Sequence, residues 1–252
     1  MVTTAQNITI SNKESNMSIK LCLLKIVLYN PLALIINIDT ATEYGSVCLS
    51  NNGIVLGYIN SSEQKAHATF VHMAVEALLS ESNKSLNDLN AVAITAGPGS
   101  YTGLRVSMAS AKGFCYALSI PLIAVSTLKV MAYAALSQSN DLLCCPMIDA
   151  RRMEVFTALY NRDLNELVQS GPVILDENFL IDYISENRII FIGNGVAKYR
   201  AKYNHPNCIF IEIKSDATHL AKMAINYYKQ HFFEDITYFE PKYLKSIYLN
   251  KR

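Results

Sequence analysis

Three groups of residues have the types and spacing that chemistry needs. The first is Gly97-Pro98-Gly99-Ser100-Tyr101-Thr102-Gly103-Leu104-Arg105. Glycines open backbone angles closed to other residues. Where such a run leads from a strand into a helix, the free N–H groups at the helix start favour an anion. Thr102 is placed to cap that helix. No Lys-Ser/Thr follows the last glycine, so this is not a Walker loop, and the G-x-G-x-x-x-G spacing is not the dinucleotide fingerprint. A plain structural turn and an anion cradle built from Gly97, Gly99, Thr102, Gly103 and Arg105 fit the spacing equally well.

The second group is Asp39-Thr40-Ala41-Thr42, at the end of an apolar run. A carboxylate there, with Thr40 and Thr42 beside it, has the donor set of a nucleotide cleft. An Asx turn closing the strand uses the same residues, and it is the favoured reading, because Ala41 stands where a phosphate loop would use glycine. The third group is Asp149, Arg151, Arg152 and Glu154. A catalytic carboxylate would need a second acid and a nucleophile in the motif, and neither is evident. The spacing fits ion pairs at a turn, with Arg151 and Arg152 available to a phosphate or a partner carboxylate.

Metal chemistry is poorly served. His67 and His72 are five residues apart and do not share a helix face as an i, i+4 pair would. His205, His219 and His231 form no His-x-x-x-His motif. The six cysteines include no C-x-x-C pair, and Cys144 and Cys145 are adjacent, which points to reduced thiols in a cytoplasmic setting.

The elements that must position these groups follow from periodicity. Apolar runs at 33–38, 44–50 and 54–59 read as strands, with Asn51-Asn52-Gly53 as a hairpin turn between the last two. Phe70, Val71, Ala74, Val75, Leu78 and Leu79 recur at helical spacing over 66–80. A strand at 91–95 leads through the glycine run into a helix over 104–118, then a strand at 121–125 and a helix after Ser126. A weaker copy of this order follows: strands at 142–148, 153–160 and 164–169, a helix at 178–185, strands at 188–192 and 208–213, and a helix over 216–232. The repeat predicts an α/β protein of two similar lobes, 33–138 and 139–252, each a mixed sheet flanked by helices. Residues 1–32 form a poorly constrained extension, with an apolar stretch too short to span a membrane.

With 252 residues, 51% hydrophobic and a net charge of +1, the chain is large enough for one or two cores. It cannot grip nucleic acid by overall charge, so any RNA contact must be local or shared with a partner.

Five stretches, in order, resemble the TsaB (YeaZ) family: Ile38–Thr42, Gly97–Arg105, Ala124–Leu128, Ile148–Val155 and Pro241–Leu244. The resemblance runs from Ala33 to the C-terminus. It implies an actin-like fold of two ribonuclease-H-like lobes and a part in making N6-threonylcarbamoyladenosine at position 37 of tRNAs. It further implies a non-catalytic subunit that binds TsaD and recruits the ATPase TsaE. ATP and metal would then sit on the partners, no cofactor would be needed by this chain, and tRNA would be met through the complex. The family pairs with TsaD through helices placed like 66–80 and 104–118, so Val71, Val75, Met108 and Lys112 are expected at that contact, and a homodimer is expected through the same face when TsaD is absent. The competing expectation is a nucleotide-hydrolysing or glycoprotease-like enzyme of the same fold.

Overall fold

The computed structural model describes residues 33–61, 67–138, 143–176, 178–201, 203 and 205–244. The expected extension over 1–32 and the start of the expected second lobe, 139–142, lie outside them.

The first sheet is built from β1 (Leu34–Asp39), β2 (Gly45–Asn51), β3 (Ile54–Ser61), β4 (Ala91–Thr95) and β5 (Leu122–Val125). Its order is β3-β2-β1-β4-β5, with β1 antiparallel to β2 and parallel to β4. The β2–β3 hairpin turns through Asn52 and Gly53, both at positive φ, which is why an Asn-Gly pair stands there. Every residue of β1 and β4 is buried, as expected of central strands covered on both faces. The covering helices are α1 (His67–Glu81) and α2 (Tyr101–Leu118) on one face.

The second sheet repeats this plan with β6 (Leu143–Asp149), β7 (Glu154–Tyr160), β8 (Glu166–Ile174), β9 (Ile189–Ile192) and β10 (Cys208–Phe210), in the order β10-β9-β6-β7-β8. Both sheets are thus an antiparallel meander with two parallel strands added beside the first strand. That is the pair of similar mixed sheets predicted from the repeated element order, and the two-lobed, ribonuclease-H-like architecture that the family resemblance implies. β8 runs five residues past its predicted end, through Gly171 and Pro172. As the outer strand of its sheet it tolerates a proline that a central strand would not.

Helices α3 (Thr127–Leu136) and α6 (Ala217–Lys229) cross between the halves. α3 follows the first sheet in sequence, yet Leu128, Met131, Ala132 and Leu136 pack with Cys144, Ile148 and Ile190 of the second. α6 follows the second sheet, yet Leu220, Ala224 and Ile225 pack with Ile35, Ala93 and Ile123 of the first. The Ala217 amide at its start donates to Ser46 Oγ of β2 at 2.9 Å. The expected 139–252 lobe therefore does not keep its C-terminal helix. The apolar face of α6 completes the uncovered side of the first sheet.

Two short helices, α4 (Ile181–Glu186) and α5 (Val196–Arg200), complete the second half. α5 sits where the first half carries the 18-residue α2, and its five residues are too few to show a helical period.

Three of the four expected partner residues are corrected by packing. Val71, Val75 and Met108 are buried in the first core against Ile36, Val47 and Ile94, because the apolar stripes of α1 and α2 face the sheet. Lys112 stays partly exposed. The outward residues of the pair include Met73, 64% exposed, and Tyr116, 81% exposed.

Candidate functional site

All five stretches of the family resemblance meet around the glycine run. Gly97 is held from two sides. Its amide donates to Thr127 Oγ1 at 3.1 Å, and its carbonyl accepts from the Thr127 amide at 3.0 Å. Its φ of +103° is one that a side chain rarely adopts, and an added Cβ would lie 2.8 Å from the Lys242 carbonyl oxygen. The Lys242 amide itself donates to the Ala96 carbonyl at 2.8 Å, so the segment from Pro241 is strapped across the start of the loop.

Gly99 and Gly103 are glycine for a different reason. Neither has a positive φ. A Cβ on Gly99 would fall well inside 3.0 Å of the Ala41 carbonyl oxygen, and one on Gly103 equally close to that of Thr40. The Ser100 amide donates to the Ala41 carbonyl at 2.7 Å, and Thr40 Oγ1 donates to the Gly103 carbonyl at 2.7 Å. The first turn of α2 is therefore pressed directly onto the end of β1. Ser100, not Thr102, is the N-cap, its Oγ accepting from the Gly103 amide at 3.2 Å. The helix starts three residues before its predicted beginning, because Gly103 lies inside its first turn as a point of close approach.

Asp39 lies beneath this junction and is 1% exposed. Its Oδ1 accepts from the Ala41 amide at 3.1 Å, an Asx turn, and from Thr95 Oγ1 at 2.8 Å. Burial pushes its carboxyl up to about 6, against the opposing pull of those two hydrogen bonds. Thr40 is also buried. Of the three residues read as a nucleotide cleft, Thr42 alone faces open space.

That space is a cleft of about 700 Å³ between the two sheets. Thr42, Ser100, Tyr101 and Thr102 line it from one side, and Asp149, Arg151 and Asn194 from the other. A second cavity of about 570 Å³ shares Thr42, Glu43 and Asn194 and continues past Tyr44, whose ring lies 4.4 Å from Lys214 Nζ.

The far wall copies the near one. Asp149 ends β6 as Asp39 ends β1, and its Oδ1 accepts from the Arg151 amide at 2.6 Å in a second Asx turn. Unlike Asp39 it reaches water and pairs with Lys198 Nζ at 2.5 Å. Against the cost of burial, hydrogen bonds from Lys198 and the Arg151 amide and the nearby positive charges together hold its carboxyl below the usual range. The partner of Asp149 is therefore a lysine from α5 and not the neighbouring arginines, a pairing that spacing alone could not reveal. Arg151 and Arg152 both have positive φ, +71° and +51°, a conformation that strains a non-glycine residue by about 1–3 kcal/mol.

Beside Tyr101, the Arg105 guanidinium lies 5.1 Å from the ring centroid and donates to its hydroxyl. Tyr101 lies 5.2 Å from Tyr243. These two tyrosines are the site residues that motif reading missed. The signal was available, since both stand inside resembling stretches. His72 packs on Phe114 at 5.3 Å between α1 and α2, away from the cleft. Among the described residues, no three of His, Cys, Asp and Glu are grouped to hold a metal ion.

The family model described as TsaD, tRNA N6-adenosine threonylcarbamoyltransferase, matches residues 57–249. The chain is 40% identical over 131 residues to the tRNA threonylcarbamoyladenosine biosynthesis protein TsaB of Escherichia coli, an alignment covering 52% of this chain and 56% of that protein. It is 30% identical over 169 residues to the Bacillus subtilis protein of the same name, covering 66% and 73%, and 29% identical over 222 residues to that of Haemophilus influenzae, covering 83% and 92%. The fold is that of a solved structure, YeaZ from Pseudomonas aeruginosa, with a TM-score of 0.75 and 23% identity over 84% of this chain and all of that one. The chain belongs to the TsaB (YeaZ) family of tRNA threonylcarbamoyladenosine biosynthesis proteins.

Proposed function

We propose that this chain is a non-catalytic subunit of the machinery that makes N6-threonylcarbamoyladenosine at position 37 of tRNAs. In this reading it binds and supports TsaD in the cytoplasm and recruits the ATPase TsaE, while ATP and metal sit on those partners. One observation carries the reading: the end of β1 and the start of α2 are sealed against each other. Asp39 and Thr40 are buried there, and Gly99 and Gly103 are pressed onto the carbonyls of Ala41 and Thr40. A junction closed by its own backbone suits a scaffold better than a phosphate-transfer site.

The partner surface in this proposal is the outward side of α1 and α2, with Met73 and Tyr116 as apolar anchors and Lys112 beside them. Large exposed apolar side chains on a rigid helix pair are what an interface core draws on. The same face would pair two copies of the chain when TsaD is absent.

The test is reconstitution. The purified chain is mixed with its cognate TsaD, co-elution is measured, and tRNA modification is assayed with and without it. Co-elution, dependence of modification on this chain, and no turnover of ATP by the chain alone are the expected results. Metal-dependent turnover by the chain alone would establish the competing nucleotide-hydrolysing reading.

A further inference from the structure

We infer that the mouth of the cleft is a binding site for single-stranded RNA, in which Tyr101 and Tyr243 stack an unpaired base while Arg105 on one lip and Arg151 and Arg152 on the other hold flanking phosphates. The two tyrosines are 43% and 41% exposed, with ring centroids 5.2 Å apart and planes tilted by 37°. Arg105 lies against the Tyr101 ring, extending the aromatic plate with a planar cation. Aromatic rings and guanidinium planes are the surfaces on which unstacked bases of single strands are held.

The opposite lip supplies the second half. Arg151 lines the same cleft as Tyr101, and Arg151 and Arg152 are both exposed. The left-handed backbone at both positions is best met by Asn-Gly or Gly-Gly. Two consecutive arginines in such a turn serve no need of the hairpin, which points to a need of the side chains. Neither guanidinium is in an ion pair among the described residues. Asp149, the acid beside them, is already engaged by Lys198, and Glu43 is the other carboxylate lining the cleft. A local group of cations is also the form that RNA contact must take in a chain of net charge +1.

A strand is favoured over a free mononucleotide by the distribution of charge. The cations sit on two separate lips, as successive phosphates would require, while Asp39 and Thr40, the residues suited to a nucleotide's terminal phosphates, are buried. The inference goes beyond the scaffold reading, because it concerns this chain without TsaD.

The experiment is fluorescence anisotropy of the full chain with a labelled RNA hairpin carrying a single-stranded loop, beside a blunt duplex of the same stem, with AMP as competitor and across a salt series. The hairpin is expected to bind about tenfold more tightly than the duplex. The double variant Arg151→Asn, Arg152→Gly suits the left-handed turn. It should melt at or above the wild-type temperature, lose about tenfold in affinity and lower the salt slope by about 1.4, two single-strand phosphates at roughly 0.7 each. Tyr101→Leu should weaken binding about tenfold with the slope unchanged. Arg105→Gln, on the exposed side of α2, gives an independent variant with an expected loss of about fivefold and a slope lowered by about 0.7. Absence of hairpin binding, equal binding of hairpin and duplex, tighter binding of AMP than of the hairpin, or wild-type affinity in the arginine variants would each overturn the proposal. None of these outcomes bears on co-elution with TsaD, so the two readings fail separately.

Discussion

Thr40 and Gly103 lock together twice: the threonine hydroxyl donates to the glycine carbonyl at 2.7 Å, and the threonine carbonyl occupies the space that any side chain at 103 would enter. This contact fixes the first turn of α2 on the end of β1. It makes the glycine run a requirement of packing, whatever binds above it.

The first prediction follows from that contact. Gly103→Ala should destabilise the chain by about 3 kcal/mol or more, since the methyl group meets rigid backbone on one side and the helix on the other. Gly113→Ala lies in the same helix with nothing within 4 Å of the new Cβ, and it should stabilise by about 0.5–1 kcal/mol. Denaturant midpoints of the two variants should move in opposite directions.

Asp39 sets a pH dependence. Its folded value of about 6 lies above the ordinary value of 3.8, so the folded chain holds the proton more strongly than the unfolded one. Stability from this group is complete below about pH 4 and falls as pH rises to 6, by at most about 3 kcal/mol. Asp216 has the opposite sign: against the cost of burial, hydrogen bonds from His219 and Thr218 hold it at about 2, so its contribution is lost only as pH falls below 4. Asp39→Asn should therefore be at least as stable as wild type at pH 7 and should flatten the stability profile between pH 4 and 6. An unchanged slope in that window would refute the assignment.

Charge placed on the inner or the outer side of the α1–α2 pair should separate folding from partner binding. Val75→Glu puts a carboxylate into the first core and should abolish soluble expression. Met73→Glu and Tyr116→Glu change exposed positions and should leave the melting temperature within about 2 °C, since surface substitutions rarely exceed ±0.5 kcal/mol. Under the scaffold reading they should weaken co-elution with TsaD by about tenfold or more.

Thiol chemistry should follow burial. Cys48, Cys115, Cys144 and Cys145 are buried. Removal from water pushes the Cys48 and Cys145 thiols up to about 12 and that of Cys115 to about 11. Only the thiolate reacts, so these four should resist alkylation at pH 8 until the chain unfolds, while the half-buried Cys208 labels first among the five described cysteines. Peptide mass spectrometry after timed alkylation reads the order directly.

What could be read in advance divides along the range of the forces involved. The hairpin at Asn52-Gly53 and the Asx turn at Asp39 are set by neighbours in sequence, and both are present as expected. The strands were legible because alternating or continuous apolar runs need no distant partner to be recognised. The side of the apolar helix faces available to a partner was not legible: Val71 and Val75 show a stripe, but only the sheet beneath them shows that the stripe is spent on the core. For the same reason the glycines at 99 and 103 looked like conformational freedom, when what they supply is room for a carbonyl from a strand some sixty residues earlier. Lys198 finding Asp149 is likewise a long-range event, 49 residues apart, with no local signature.

The exchange of α3 and α6 between the sheets has a consequence for the order of assembly during synthesis. The helix that covers one side of the first sheet is synthesised only after the whole second sheet, and its anchor to Ser46 spans 171 residues. Until it arrives, Ile35, Ala93 and Ile123 present an open apolar surface, and a nascent chain stopped after β5 holds a sheet with one bare face. Such distant pairings are slow to form and leave the intermediate prone to aggregation. Neither half then carries the helices that cover its own sheet, and a chain cut between them is expected to be insoluble.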